Sequence, residues 1–125
     1  MNPLGFEDLK VYQKARQLVR DVYALFPLFP EEEKHALSNQ LRRSVVSVTS
    51  NVAEGMGRFS LQEQAHFIEI AYGSLMEAYS QLQVSFDLGY ISEPTFYKLK
   101  SDIGEIAMIL SKLYSIRKES LKQQI

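Results

Sequence analysis

The chain has 125 residues, a length that suits one domain with its own hydrophobic core. Hydrophobic residues make up 46% of the chain, and seven Phe and seven Tyr can fill such a core. There is no Cys, which excludes disulfides, thiolate metal sites and a Cys nucleophile. The net charge of −1 argues against a strongly basic nucleic-acid-binding domain, although a local basic patch remains compatible with it.

The first five residues lack the basic segment of a secretory signal. No apolar run reaches the ~18 residues that a membrane span requires. We therefore expect a cytoplasmic protein with no membrane association. Because the sequence contains no low-complexity tract and no repeat of solenoid period, residues 1–125 are predicted to form a single domain.

Gly and Pro residues cluster at 27–30, 55–57 and 89–94 and divide the chain into four segments with helical periodicity. The predicted helices span residues 8–26, 32–55, 61–88 and 93–119. Short connections favour antiparallel neighbours, so the predicted fold class is all-α, an antiparallel up-down-up-down four-helix bundle of left-handed sense. No segment alternates with period two over the length of a strand.

Apolar residues recur at steps of three and four along the first two predicted helices. The second helix is predicted to begin near the acidic run at 31–33, because negative charge suits a helix N-terminus. The regular part of this helix is predicted to end near Glu54, with Gly55 as the glycine that terminates it and follows its last regular residue. The predicted core residues of these helices are Val11, Ala15, Leu18, Val22 and Leu25, followed by Leu37, Leu41, Val45, Val48 and Val52.

Capping residues predict the ends of the other two helices. Ser60 followed by Glu63 forms a capping box at the start of the third helix, and Gly89 marks its end. Ser92 precedes the fourth helix, with a proline in its first turn. The predicted core stripe of the third helix is Ile68, Tyr72, Leu75, Tyr79, Leu82 and Phe86, flanked by the small residues Ala71, Ser74, Ala78 and Ser85. That of the fourth is Phe96, Leu99, Ile103, Ile106, Leu110 and Leu113.

Two Glu-x-x-His pairs, Glu32…His35 and Glu63…His66, are of the kind that di-iron helical bundles use as ligands. Both pairs lie at the N-terminal ends of consecutive antiparallel helices, so a helix of ~20 residues would hold them about 30 Å apart. We therefore expect no metal and no cofactor. No other residue pattern supports a catalytic site or a small-molecule substrate, so the protein is not expected to be an enzyme.

A row of mostly small polar residues beside the core stripe of the second helix is the first candidate site: Gln40, Ser44, Ser47, Asn51 and Glu54. Small residues there would let two helices approach closely. An equally good explanation is a polar interface or buried network, in which Glu54 needs a basic partner because an unpaired buried carboxylate is costly. The arginines considered for that role are Arg42, Arg43 and Arg58.

Two further sets of residues lie away from the predicted core. The apolar set would give a strip for self-association, although scattered exposed apolar residues are also common: Val46, Ala53, Ile70 and Leu88. The basic set is most simply a solvated surface, but several copies in a ring could hold an acidic partner or RNA: Lys10, Lys14, Arg16 and Arg20, with Lys112, Arg117, Lys118 and Lys122.

Three segments resemble a bacterial four-helix bundle family that is also called 23S rRNA intervening-sequence protein or S23 ribosomal protein. They are FEDLKVYQKARQL at 6–18, QLRRSVVSVTSNVAEGMGR at 40–58 and FIEIAYGSLMEAYSQL at 67–82, in which NVAEG and AYGSLMEA are the most specific. The resemblance implies a homo-oligomeric bundle, with pentameric rings among the members. A distant relative, the accessory variability protein of diversity-generating retroelements, associates with a reverse transcriptase and has a basic surface.

The resulting hypothesis is a non-enzymatic homo-oligomeric binding or scaffold module, assembled as a pentameric ring. The residues predicted at its interface or polar network are Gln40, Arg43, Ser44, Ser47, Asn51, Glu54, Gly73, Ser74 and Glu77. The alternative is an accessory protein that binds RNA or a nucleoprotein. The residues predicted to make those contacts are Lys10, Lys14, Arg16, Arg20, Arg42, Arg43 and Arg58.

Overall fold

A computed structural model describes residues 2–124 of the chain. Four α-helices make up most of it: α1 (Lys10–Tyr23), α2 (Leu37–Met56), α3 (Leu61–Asp87) and α4 (Glu93–Gln123). Short 3-10 turns at Gly5–Asp8, Phe26–Leu28 and Glu31–Glu33 precede α1 and connect it to α2. The described residues contain no strand, so the prediction of an all-α protein with four helices is confirmed. Within the same residues, no helix combines the length and the apolar character that crossing a membrane requires.

The apolar faces of the four helices meet in one core. Helix α1 packs against α2 and α4, and α3 packs against the same two helices. The largest fully buried side chains come from every helix: Val11, Leu18, Val22, Leu41, Val45, Val48, Ile68, Leu75, Leu82, Leu99, Ile106 and Leu110. Each contributes about 1.5–3 kcal/mol by leaving water, and truncating a buried Leu to Ala would cost about 2–5 kcal/mol.

Hydrogen bonds between side chains fix the relative direction of α2 and α3. Ser44 Oγ donates to Gln81 Oε1 at 2.6 Å, and the Oγ atoms of Ser47 and Ser74 are 2.9 Å apart. Residue numbers therefore rise along α2 as they fall along α3, which makes these two helices antiparallel.

The predicted helix starts at Ser60 and Ser92 have the expected geometry. Ser60 Oγ accepts a hydrogen bond from the Glu63 backbone N–H at 3.1 Å, and Ser92 Oγ accepts one from the Thr95 N–H at 3.4 Å. Each bond satisfies a backbone donor that the first turn of a helix leaves without a partner. These two boundaries depend only on residues close in sequence, which is why the sequence predicts them well.

The two glycines predicted to end helices have different roles. Gly89 follows α3 with a φ of +83°, the left-handed conformation that ends many helices. Gly55 instead lies inside α2 and is buried, so the prediction that it follows the helix is wrong. A Cβ at Gly55 would lie 3.1 Å from the Cβ of Phe67, closer than ordinary van der Waals contact. Glycine is needed at this position because α2 and α3 approach each other there.

The second helix also begins later than predicted, at Leu37 rather than near residue 32. The acidic run forms a separate 3-10 turn instead. Tyr90 OH donates to Glu33 Oε2 at 3.0 Å, and Phe29 is buried with its ring centroid 5.1 Å from that of Tyr90. These contacts with the α3–α4 connection hold the segment out of α2. Burial and the neighbouring Glu33 carboxylate raise the pKa of Tyr90.

The first and fourth helices also differ from the predicted limits. The predicted span 8–26 becomes Lys10–Tyr23, because Leu9 is extended and a 3-10 turn follows the helix at Phe26–Leu28. Helix α4 continues to Gln123, four residues beyond the predicted 119.

The core stripe of α3 is rotated from the predicted one. Tyr72, which was expected in the core, is 38% exposed, whereas the neighbouring small residues Ala71, Ala78 and Ser85 are completely buried. Small side chains let α3 lie close to the helices beside it, which moves the bulky aromatic row toward α4. Phe86 in that row stacks on Phe96 of α4, with ring centroids 4.4 Å apart.

Candidate interaction surfaces

Much of the polar row predicted on α2 is engaged within the chain. The bonds from Ser44 to Gln81 and between Ser47 and Ser74 join α2 to α3 directly. Asn51 Nδ2 extends this network by donating to the backbone oxygen of Ser47 at 2.8 Å and to its Oγ at 2.9 Å. The polar groups of these five residues are therefore engaged within the chain, where they stabilise the packing of α2 on α3.

Gln81 completes the network and was not among the predicted site residues. Its Nε2 donates to Glu77 Oε1 at 3.2 Å, while its Oε1 accepts from Ser44. Gln81 lies four residues after Glu77 on the same helical face, which was the available sequence indication. Among residues 2–124, no buried side-chain nitrogen or oxygen lacks a hydrogen-bond partner. Close helix approach with satisfied polar groups thus accounts for the centre of the row.

The remaining predicted interface residues lie at the surface. Gln40, Glu54, Gly73 and Glu77 are exposed. Glu54 forms an ion pair with Arg58 one turn further along, so it pairs with a predicted arginine but on the surface rather than in a buried network. Gly73 has no atom within 4 Å of where a Cβ would be, which leaves open space above it.

Two exposed apolar side chains lie on either side of the Ser47–Ser74 hydrogen bond. Val46 is 37% exposed and precedes Ser47, and Ile70 is 36% exposed one turn before Ser74. We call the surface around this bond the α2/α3 outer face, made of Arg43, Val46, Ser50, Ile70, Gly73 and Glu77. The other predicted apolar residues do not join it: Ala53 is half-buried, and Leu88 lies beyond the end of α3.

The basic residues predicted on the first helix separate into two groups. Lys14 Nζ lies 2.9 Å from Glu105 Oε1 on α4, and Lys10 Nζ lies 3.7 Å from the same atom. We call these two lysines the lysine edge. The hydrogen bond from Lys14 holds the pKa of the Glu105 carboxyl below its usual value. Both lysines are therefore engaged by α4 and do not belong with the arginines.

Four arginines of α1 and α2 form the second group, which we call the arginine face: Arg16, Arg20, Arg42 and Arg43. Within residues 2–124, none of them has a carboxylate oxygen within 4.0 Å. The only carboxylates of α1 and α2 are Asp21 and Glu54, and both are paired elsewhere. Asp21 lies 3.7 Å from Lys98 on α4, and Glu54 pairs with Arg58. The arginine face is thus basic in a chain whose net charge is −1.

A shallow groove between α1 and α2 brings part of the arginine face together with an aromatic ring. Its lining residues are Tyr23, Arg42, Arg43, Val46, Ser47 and Ser50. Arg42 Nη2 donates to Asn39 Oδ1 at 2.5 Å, which restrains that guanidinium without neutralising it. At 3.6 residues per turn, Arg16 and Arg20 lie within an arc of about 60° that includes Tyr23.

Arg58, the last of the predicted contact residues, lies apart from the arginine face at the α2–α3 connection. Its guanidinium lies 4.5 Å from the ring centroid of Phe67 in addition to pairing with Glu54. Arg117, from the C-terminal basic set, is half-buried, and its Nε donates to Gln64 Oε1 at 3.0 Å. Burial lowers the pKa of Arg117. Both arginines therefore have partners within the chain.

The two Glu-x-x-His pairs are held far apart. Glu32 lies in the turn that contacts Tyr90 beyond the end of α3, whereas Glu63 lies in the first turn of α3. The 27-residue helix between them is about 40 Å long. In the described part of the chain, no three His, Asp or Glu side chains are grouped so that they could hold a metal ion.

Comparisons with known proteins agree with the all-helical fold. Residues 7–112 match the family model described as 23S rRNA-intervening sequence protein. A solved structure from Bacteroides thetaiotaomicron, described as a protein with unknown function from the S23 ribosomal protein family, is similar with a TM-score of 0.77 and 21% sequence identity. The similarity covers 83% of this chain and 97% of that chain, and at this identity it shows the fold alone. No curated protein matches the chain.

Proposed function

The chain belongs to the 23S rRNA-intervening sequence protein family, and we propose that it acts as a non-enzymatic binding module that self-associates. The proposed assembly is a pentameric ring whose subunits are left-handed up-down-up-down bundles. The antiparallel pairing of α2 with α3 supports that subunit topology. The observation that carries the proposal is the α2/α3 outer face, which has the composition of a contact surface.

Shape and polarity make the α2/α3 outer face suitable for a second copy of the chain. Val46 and Ile70 remain about one-third exposed, and the open space above Gly73, on the same helix as Ile70, leaves room for a close approach. Covering these groups would remove apolar surface from water at about 25 cal/mol per Å². A standard interface needs about 800 Å² per partner, roughly a tenth of the 7681 Å² surface of this chain. Two adjacent helices can supply that area.

Charge complementarity favours a copy of this chain over an unrelated partner. Arg43 and Glu77 lie on the same outer face, and neither has an ion-pair partner within 4.0 Å in residues 2–124. Between two copies, Arg43 of one subunit can meet Glu77 of the next. In a ring each contact joins two different parts of the subunit surface, so the α2 part of the outer face, which carries Arg43, would meet the α3 part of the next subunit, which carries Glu77.

The non-enzymatic part of the proposal is supported by where the perturbed ionisable groups lie. Functional sites gather such groups in one pocket. Here each shift has a local structural cause, and the groups are distributed over both ends and two sides of the molecule: Tyr90, Lys98, Glu105, Tyr114 and Arg117. The absence of enzymatic activity can be tested by screening the protein against panels of hydrolase and transferase substrates. Turnover that a single carboxylate substitution abolishes would contradict the non-enzymatic proposal.

A charged side chain in the α2/α3 outer face tests the assembly. We expect Ile70→Glu to reduce the assembly to monomers at micromolar concentration, because the carboxylate would have to be buried without a partner. Light scattering coupled to size-exclusion chromatography measures the mass. Ser101→Glu, at an exposed position of α4, is the matched control and should keep the wild-type mass. Equal masses for both variants would contradict the proposed interface.

A charge exchange tests the pairing across copies. Arg43→Glu and Glu77→Arg should each weaken the assembly by about tenfold in dissociation constant, whereas the double variant should recover most of the loss. Analytical ultracentrifugation gives the three constants. If the two effects simply add, Arg43 and Glu77 do not meet between subunits.

RNA binding is the second candidate function, and the arginine face is the observation that favours it. Arginine pairs well with phosphate because its planar guanidinium offers several donors in a fixed arrangement. The four side chains have no carboxylate to compete with phosphate, and Tyr23 adds a ring on which a base could stack. The lysine edge, by contrast, already has an acidic partner.

Two double substitutions on α1 test this candidate with the same change in charge. Arg16→Gln with Arg20→Gln should weaken binding of a single-stranded RNA oligonucleotide by about tenfold and flatten its salt dependence by about one unit of slope. Lys10→Gln with Lys14→Gln should change affinity less than threefold. Fluorescence anisotropy from 50 to 300 mM salt measures both. Equal losses would show that only net charge matters, and no binding at low salt would reject RNA as the partner.

A further inference from the structure

A small cavity opens between α3 and α4, on a different side of the molecule from both surfaces described above. Its volume is about 210 Å³, and its lining residues are Ile68, Glu69, Tyr72, Leu110, Ser111 and Tyr114. Ile68 and Leu110 are completely buried and form an apolar floor. Drug-sized ligands occupy pockets of about 300–1,000 Å³, so this cavity suits a ligand of only a few non-hydrogen atoms.

The polar groups of this cavity are anionic or electron-rich. Glu69 is exposed, and no Lys, Arg or His nitrogen lies within 4.0 Å of its carboxylate in residues 2–124. The neighbouring Glu69 carboxylate, together with burial, raises the pKa of the Tyr114 hydroxyl. Glu69 lines the cavity together with the Tyr114 ring, and Tyr72 supplies a second ring.

Aromatic faces attract cations, and one ring of this cavity already has a cation near it. Lys118 Nζ lies 5.9 Å from the centroid of the Tyr114 ring. An interaction of this kind contributes about 0.5–1 kcal/mol at an exposed site and more where water is displaced. Two rings, one carboxylate and an apolar floor together favour a guest that is both positively charged and apolar at its surface.

We propose that the cavity formed by Glu69, Tyr72 and Tyr114 on the floor of Ile68 and Leu110 binds a small quaternary ammonium ion. A primary ammonium has three N–H donors to satisfy, and this cavity offers few acceptors beyond Glu69 and the Ser111 hydroxyl. A quaternary ammonium has no N–H group, so its methyl groups can contact the rings and the floor while its charge faces the carboxylate. The chemistry of the cavity thus selects the class of ligand.

The test compares choline with its neutral carbon analogue, 3,3-dimethylbutan-1-ol, on the full-length protein. The two probes have nearly the same shape and differ in charge, so their ratio of affinities isolates the electrostatic part. Nuclear magnetic resonance with labelled tyrosine rings measures binding at Tyr72 and Tyr114. We expect saturable shifts with choline and at least tenfold weaker binding of the neutral analogue.

Two substitutions locate the site. Glu69→Gln should weaken choline binding at least fivefold while keeping the size of the side chain, and Tyr72→Leu should do the same by removing a ring. Glu119→Gln, at an exposed position on α4 outside the cavity, is the matched control and should leave choline affinity unchanged. Equal binding of both probes, or choline affinity that is unaffected by Glu69→Gln, would overturn the proposal. Thermal unfolding confirms that each variant is folded.

Discussion

The two edges of α1 both carry positively charged side chains, but the side chains of one edge have an acidic partner and those of the other do not. Lys10 and Lys14 face α4, where Glu105 accepts both of them. Arg16 and Arg20 lie on the same helix without such a partner, because within residues 2–124 no carboxylate oxygen lies within 4.0 Å of either guanidinium. The difference arises from the neighbouring helix rather than from α1 itself. A basic residue is available to a partner only when the helix beside it supplies no acid.

The comparison also explains why the net charge of −1 is a poor guide to this surface. Exposed ion pairs contribute only about 0–1 kcal/mol to stability, so the lysine edge is not essential for folding. Its effect is to hold two positive charges at the surface near a carboxylate, which reduces their attraction for an anionic ligand. The arginine face keeps its full charge.

Supplying the arginine face with acids should convert it into a surface like the lysine edge. Asn39→Asp would place a carboxylate where Asn39 now accepts a hydrogen bond from Arg42, and Gln13→Glu would place one about a turn from Arg16. We expect the double variant to lose about tenfold in affinity for single-stranded RNA at 50 mM salt. Anisotropy titrations measure the loss. Ser101→Glu with Ser115→Glu, on exposed positions of α4, adds the same charge elsewhere and should lose less than threefold.

Removing the acid from the lysine edge should have the opposite and smaller effect. Glu105→Gln leaves Lys10 and Lys14 without their partner, so affinity for the same RNA should rise about twofold to threefold, with a steeper salt dependence. The same titrations measure this change. Glu119→Gln removes an acidic side chain far from the lysine edge. If it raises the RNA affinity as much as Glu105→Gln does, the ion pairs with Glu105 do not affect how readily the two lysines bind RNA.

Local interactions made most of the fold predictable. The capping bonds of Ser60 and Ser92 involve residues three positions away, and their predicted starts agree with the structure. The burial of Gly55 and the exposure of Tyr72 depend on how the helices approach one another, which periodicity alone does not specify. Gly55 is buried where α2 meets Phe67 of α3, whereas the small residues Ala71 and Ala78 take the buried positions of α3 and Tyr72 is left partly exposed.

The candidate sites were less predictable because they combine residues from different helices. Ser44 and Ser47 have the composition of an interface row, but Gln81 and Ser74 on α3 engage them within the chain. The sequence placed Lys14 and the arginines in one basic set because it does not reveal that Glu105, about ninety residues later, would reach the lysine. The α3/α4 cavity likewise depends on two distant segments.

The smallest effect concerns pH. Because the pKa of Glu105 is lowered in the folded chain, its stabilisation is present above the unfolded value near 4.5 and is lost as the pH falls through the folded value. The free energies of unfolding of wild type and Glu105→Gln, measured with denaturant, should therefore differ slightly at pH 7 and converge as the pH falls well below 4.5. An unchanged difference across that range would contradict the pairing with Lys14.

Native mass spectrometry of untagged protein at low salt tests self-association most directly. We expect a species near five times the 14.4 kDa subunit mass that persists after nuclease treatment. For Ile70→Glu we expect a mass of 14.4 kDa under the same conditions. A wild-type protein that gives only the 14.4 kDa monomer at micromolar concentration would contradict the proposed function.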